Sequence, residues 1–114
     1  MTQKLIAVPV DQNGMLDGHF GHCKFFDIFA VDGTSIQTEK RIVPPPHEPG
    51  VLPQWLADAG VTDVLAGGMG NRAIQLFNQQ NVNVFVGAPQ LSARDLVNGF
   101  LNQTIGFSAN CCDH

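Results

Sequence analysis

The chain has 114 residues and a formal net charge of -4, with six Lys plus Arg against ten Asp plus Glu. That length suits one domain with its own core, and six scattered basic residues exclude a surface that tracks nucleic-acid phosphates. No apolar run approaches a membrane span, and "MTQKLIAVPV" lacks the separate basic, apolar and cleavage regions of a signal peptide, so a cytoplasmic location is expected.

Residues Lys4 to Val10 are apolar nearly throughout, which predicts a strand covered on both faces, with Pro9 marking its end. Asp11 to His22 is rich in Gly, Asp and Asn and reads as loop. Cys23 to Val31 is aromatic and β-branched, hence strand, and Asp32-Gly33 is a hairpin signal. Ser35 to Val43 then returns as an amphipathic strand toward a sheet edge.

The run Pro44 to Gly50 excludes regular structure, because proline fixes φ and lacks a donor. Val51, Leu52, Trp55, Leu56 and Ala59 fall at helical spacing, and Gly60 is a stop. Val61 to Ala66 is a strand, Asn71 to Gln80 a helix with Ala73, Ile74 and Phe77 inward, and Val82 to Ala88 a strand. The last helix opens on Ser92 as N-cap, with Asp95 at its third position and Leu91 and Leu96 spaced as a hydrophobic staple. Its stripe continues through Val97, Phe100 and Leu101. The order βββαβαβα predicts an α/β fold, a mixed sheet with helices on its faces and parallel crossovers in the second part. Residues 1–104 read as one domain and 105–114 as a Cys- and His-containing tail.

Three groups of residues carry candidate chemistry. His19, His22 and Cys23 lie on a turn hinged by Gly18 and Gly21, and imidazole and thiolate suit zinc, copper(I) or iron–sulfur centres. The alternative is an exposed histidine pair, Phe20 as anchor and Cys23 as core. Cys111, Cys112 and His114, with Asp113 as a harder donor, form the second group. An odd cysteine count with two adjacent thiols is a poor disulfide framework. These residues join the first group only if the tail folds back to it; the alternative is a frayed terminus.

The third group is Gly67, Gly68, Met69 and Gly70, between a strand and a helix, where glycines let backbone N–H groups and a helix N-terminus face an anion. Gly68, Gly70 and Ala73 fit G-x-G-x-x-A, but the next strand ends "VFVGAP" without the acid a dinucleotide site needs. A tight turn or a cradle for an anionic cluster remains. His47, in "PPPHEPG", is a further candidate ligand or simply exposed.

"IAVPVD", "LDGHFGHCKFFDIFAVD", "GGMGNRAIQLF" and "VFVGA", together with the closing "CCDH", resemble the dinitrogenase iron–molybdenum cofactor biosynthesis family, which includes NifX, NafY and the C-terminal part of NifB. The likeness spans nearly the whole chain, and the closing residues are similar to tails of small stand-alone members. The resemblance implies a ribonuclease-H-like fold, with a five-stranded mixed sheet whose first three strands are antiparallel. It implies a non-enzymatic protein that binds, carries or stores an iron–sulfur or molybdenum–iron–sulfur cluster or precursor, exchanged with a donor or acceptor protein. The histidine loop is then the ligand region, at His19 and His22. On this reading Asp11, Gly18, Phe20, Gly21 and the Gly67–Gly70 turn line the cargo. A ribonuclease-like shape does not imply nuclease activity: Asp11, Asp17 and Asp27 are available, but glycines stand where a further carboxylate would hold magnesium. The residues alone leave open a mononuclear zinc or iron site, structural or sensory. They also leave open a nucleotide module on the glycine turn and a purely structural interaction domain.

Overall fold

Strand β1 (Gln3–Val10) is buried from Ile6 to Val10 and forms the middle of the sheet. In a computed structural model, which describes residues 3–18, 23–45 and 51–109, β1 pairs antiparallel with β2 (Phe25–Asp32), and β2 pairs antiparallel with β3 (Ser35–Ile42). On its other side β1 runs parallel to β4 (Asp63–Leu65), which runs parallel to β5 (Asn83–Val86). These five strands make the expected mixed sheet, and a two-residue strand, β6 (Ser108–Ala109), pairs antiparallel with β5 at its free edge. Among the described residues no helix is long and apolar enough to cross a membrane.

Alternation along the strands divides the core in two. Ala7, Phe26, Ile28, Val64 and Val84 face helices α1 (Val51–Asp58) and α2 (Asn71–Gln79), meeting Leu52, Leu56, Ile74 and Phe77. Ile6, Val8, Val10, Phe29, Val31 and Leu65 face α3 (Ala93–Asn102), meeting Leu96 and Val97. Helices therefore cover both faces, as expected. β3 is an edge strand with mostly exposed side chains, also as expected.

Local chemistry sets the ends. Gly60, at φ +92°, closes α1: its N–H donates to the Ala57 carbonyl and that of Val61 to Leu56, while Val61 and Leu56 share the core. The Ser92 side chain caps α3 by accepting from the Asp95 N–H at 3.2 Å.

Several bounds differ from the sequence reading: β2 begins at Phe25 and not at Cys23, β4 is shorter than Val61 to Ala66, and β5 is shorter than Val82 to Ala88. Pro9 does not end β1 but sits within it, opposite Phe26. Pairing of β1 with β4 stops at Ala7, so the missing proline N–H breaks no ladder bond there. The chain after residue 104 also begins inside the packed unit. Ile105 and Phe107 pack on the α3 side, and Phe107 makes an edge contact with Phe100 at 5.8 Å between ring centroids.

Candidate functional site

Because β1, β4 and β5 run parallel, their C-terminal ends share one edge of the sheet. The connections that follow these three strands leave that edge: the loop after Val10, the glycine turn after Ala66 and the loop after Val86. Open parallel sheets characteristically bind ligands at such outlets.

Backbone hydrogen bonds join the three. The Leu16 N–H donates to the Leu91 carbonyl at 2.9 Å, and the Gln90 side-chain amide donates to the Leu16 carbonyl. The Gly87 N–H donates to the Gly67 carbonyl at 3.0 Å, and the Ala93 N–H to Gly14 at 3.0 Å. Leu16, 2% exposed, sits so close that a Cβ on Gly67 would lie 3.5 Å from its Cδ2. The first loop thus rests on the glycine turn and the β5–α3 loop together.

Within the first loop, Asp11 organises the backbone. Its Oδ1 accepts from the N–H of Asn13 at 2.8 Å and of Met15 at 3.1 Å, while the Asp17 N–H donates to the Pro9 carbonyl at 2.9 Å. Gly18 is exposed, and a Cβ there would meet nothing within 4 Å. Cys23 is 8% exposed and packs in the core on the α1 and α2 side. Burial first, then the charge of Asp17, pushes its thiol from 9.0 up to about 12. Phe20, His19, Gly21 and His22 lie outside the described residues, as do His47 and the tail residues Cys111, Cys112, Asp113 and His114.

The Gly67–Gly70 turn leads into α2. None of its glycines has a positive φ, and Cβ atoms on Gly68 and Gly70 would meet nothing within 4 Å. The turn is open space, not a backbone necessity. Gly70 is the N-cap of α2 and supplies no side-chain acceptor, and no acid occupies the first turn. α3 differs, with Ser92 and Asp95 both at its start. The first amides of α2 therefore keep their partial positive charge for another acceptor. Met69 is half-buried against the α1 and α2 core.

β6 carries the chain away from this edge. Ser108 faces Val86 and Ala109 faces Phe85, so at Ala109 the chain points toward the Asn83 end of β5. Among the described residues no group of three or more His, Cys, Asp or Glu is placed to hold a metal ion. Asp27, considered above as an acidic donor, is 6% exposed and pairs with Arg41. Sequence reasoning passed over the β5–α3 loop, although Gly87 (φ +87°) and Pro89 mark a built turn there, and it passed over Arg41.

Comparison with known proteins agrees with this architecture. The family model described as "Dinitrogenase iron-molybdenum cofactor" matches residues 2–103. The crystal structure of PH0822 is 25% identical, with a TM-score of 0.81 over 91% of this chain and 92% of that one. The apo form of the orange protein from Desulfovibrio gigas is 24% identical, with a TM-score of 0.76 and 92% of each chain covered. MJ0327 from Methanocaldococcus jannaschii, provisionally named a dinitrogenase, is 14% identical at a TM-score of 0.74, covering 95% of this chain and 97% of that one. No curated protein matches the chain closely enough to count as a relative. With a family match across residues 2–103, on the fold its motifs implied, the chain belongs to the dinitrogenase iron–molybdenum cofactor family.

Proposed function

We propose that this protein binds and carries an iron–sulfur or molybdenum–iron–sulfur cluster, or a precursor of one, without transforming it. The cargo edge is the outlet of β1 and β4. His19, with His22, supplies soft donors from the loop that follows Gly18. Gly68 and Gly70 leave room for a bulky inorganic group, and the open amides of α2 face its sulfides and negative charge. Cys23 anchors the loop's far end in the core. The observation that carries the reading is the seating of Leu16 over Gly67, which brings the loop leading to His19 onto the glycine turn.

A carrier leaves coordination positions open for transfer, so a donor and an acceptor protein are its partners. Cys111, Cys112 and His114 are second-rank donors in this reading, because neighbouring cysteines do not easily share one tetrahedral ion. A mononuclear zinc or iron site remains the alternative cargo chemistry, distinguished by one metal per chain and no acid-labile sulfide.

The test is anaerobic reconstitution of the full chain with iron and sulfide, with and without molybdate. Wild type takes up metal and sulfide together, His19→Ala takes up markedly less, and Cys111→Ser/Cys112→Ser retains uptake. Equal, low uptake by wild type and His19→Ala contradicts the proposal.

A further inference from the structure

Arg41 belongs to no motif, yet it joins two parts of the molecule, strand β2 and the loop after β1. Its Nε donates to Asp27 Oδ1 at 2.8 Å and its Nη2 to Asp27 Oδ2 at 3.1 Å, a two-point pair between neighbouring strands. The guanidinium lies 5.3 Å from the centroid of the Phe25 ring. Its Nη1 reaches the Gln12 carbonyl at 3.5 Å. A Cβ on Gly14, which stands at φ +80°, would come within 3.0 Å of Nη2.

The planar, five-donor guanidinium can hold a carboxylate with two N–H groups and still offer a third to the loop. A buried ion pair adds little stability by itself and is often replaced by apolar packing without loss. Here the carboxylate end is buried in β2, at 6% exposure, while the other end meets the Gln12–Gly14 turn. That turn is the one Asp11 closes, and its Gly14 carbonyl receives the Ala93 N–H at the start of α3.

We propose that the Asp27–Arg41 pair is a positioning device for the cargo loop, fixing the Gln12–Gly14 turn to β2 and β3 so that the loop after β1 stays seated on the glycine turn. The inference rests on the cargo reading above and deepens it. Arg41 acts through the loop and does not touch the cargo.

The test uses the full chain, reconstituted anaerobically with iron, sulfide and molybdate, as wild type, Arg41→Gln and Asp27→Asn/Arg41→Gln. Cargo loss to an iron chelator, visible circular dichroism of the bound cluster and melting temperature are measured on each. Arg41→Gln is expected to release cargo roughly tenfold faster, the scale on which groups supporting a metal ligand act, with an altered dichroism spectrum and a lower melting temperature. The double variant removes the stranded buried charge, so its melting temperature recovers while fast release and the altered spectrum persist. Retention that follows melting temperature across all three proteins, or equal retention by wild type and Arg41→Gln, overturns the inference alone. No uptake by wild type overturns the cargo reading and the inference with it.

Discussion

The N–H of Leu16 donates to the carbonyl of Leu91 at 2.9 Å, joining the loop after β1 to the loop before α3. The Gln90 side chain completes the junction by donating to the Leu16 carbonyl. Gln90→Ala removes that second bond and leaves an inward carbonyl without its donor. It should lower stability by about 1 kcal/mol and speed amide exchange at Met15 to Asp17 while leaving β1 and β2 unchanged. Hydrogen exchange read residue by residue checks this; uniform acceleration throughout the sheet would show that the junction serves the whole fold instead.

Gly99 lies on the buried side of α3, and a Cβ there would stand 2.2 Å from Ile105 Cδ1 and 2.5 Å from its Cγ1. Alanine gains up to about 1 kcal/mol of helix propensity over glycine, but overpacking costs roughly 1–3 kcal/mol. Gly99→Ala should therefore destabilise by about 1–2 kcal/mol. In an Ile105→Ala background the clash is gone and the same change should be neutral or stabilising. Denaturant melts of the four proteins measure the coupling, and strictly additive effects would rule the contact out as the cause.

Gln103 ends α3 at φ 59°, the left-handed position that Gly60 occupies after α1. A side chain there costs about 1–2 kcal/mol, while glycine adds roughly 0.5–1 kcal/mol of unfolded-state entropy to be lost. Gln103→Gly should thus stabilise slightly, by about 0.5 kcal/mol on the same comparison. A fall in the urea midpoint would contradict it.

Cys23 gives the metal-free protein a pH signature. Its thiol ionises near 9.0 when unfolded and is pushed up to about 12 when folded. The folded state then holds the proton more tightly, so this contribution to stability is complete below pH 9.0 and declines as pH rises toward about 12. In a Cys111→Ser/Cys112→Ser background, alkylation of Cys23 at pH 8 should be slower than that of an unfolded control by roughly a thousandfold or more, following the thiolate fraction. Alkylation at the rate of a free thiol would place the sulfur outside the core.

Much of this fold was legible in the sequence because local chemistry and tertiary packing agree. Ser92, Asp95, Leu91 and Leu96 mark the start of α3 from side-chain spacing alone, and Gly60 marks the stop of α1. Pro9 misled because its tolerance depends on how short β4 is, a fact of pairing and not of β1 itself. β6 was invisible because two residues have no period; it forms because β5 offers an edge and Phe107 finds Phe85 and Phe100. At the site, the glycine turn was placed correctly beside a strand outlet. The bonds that assemble the edge were not legible. Leu16 to Leu91 and Gly87 to Gly67 join residues far apart in the chain through backbone atoms that every residue carries, and the Arg41 guanidinium reaches a backbone carbonyl, that of Gln12, which no residue type marks.

The most direct measurement is the metal and acid-labile sulfide content of the protein isolated from its native host without exposure to oxygen. Iron and sulfide in comparable amounts, with or without molybdenum, falling sharply in a His19→Ala strain, is the result expected of a cluster carrier. A wild-type preparation free of metal and sulfide, or one holding a single zinc that His19→Ala leaves in place, contradicts it.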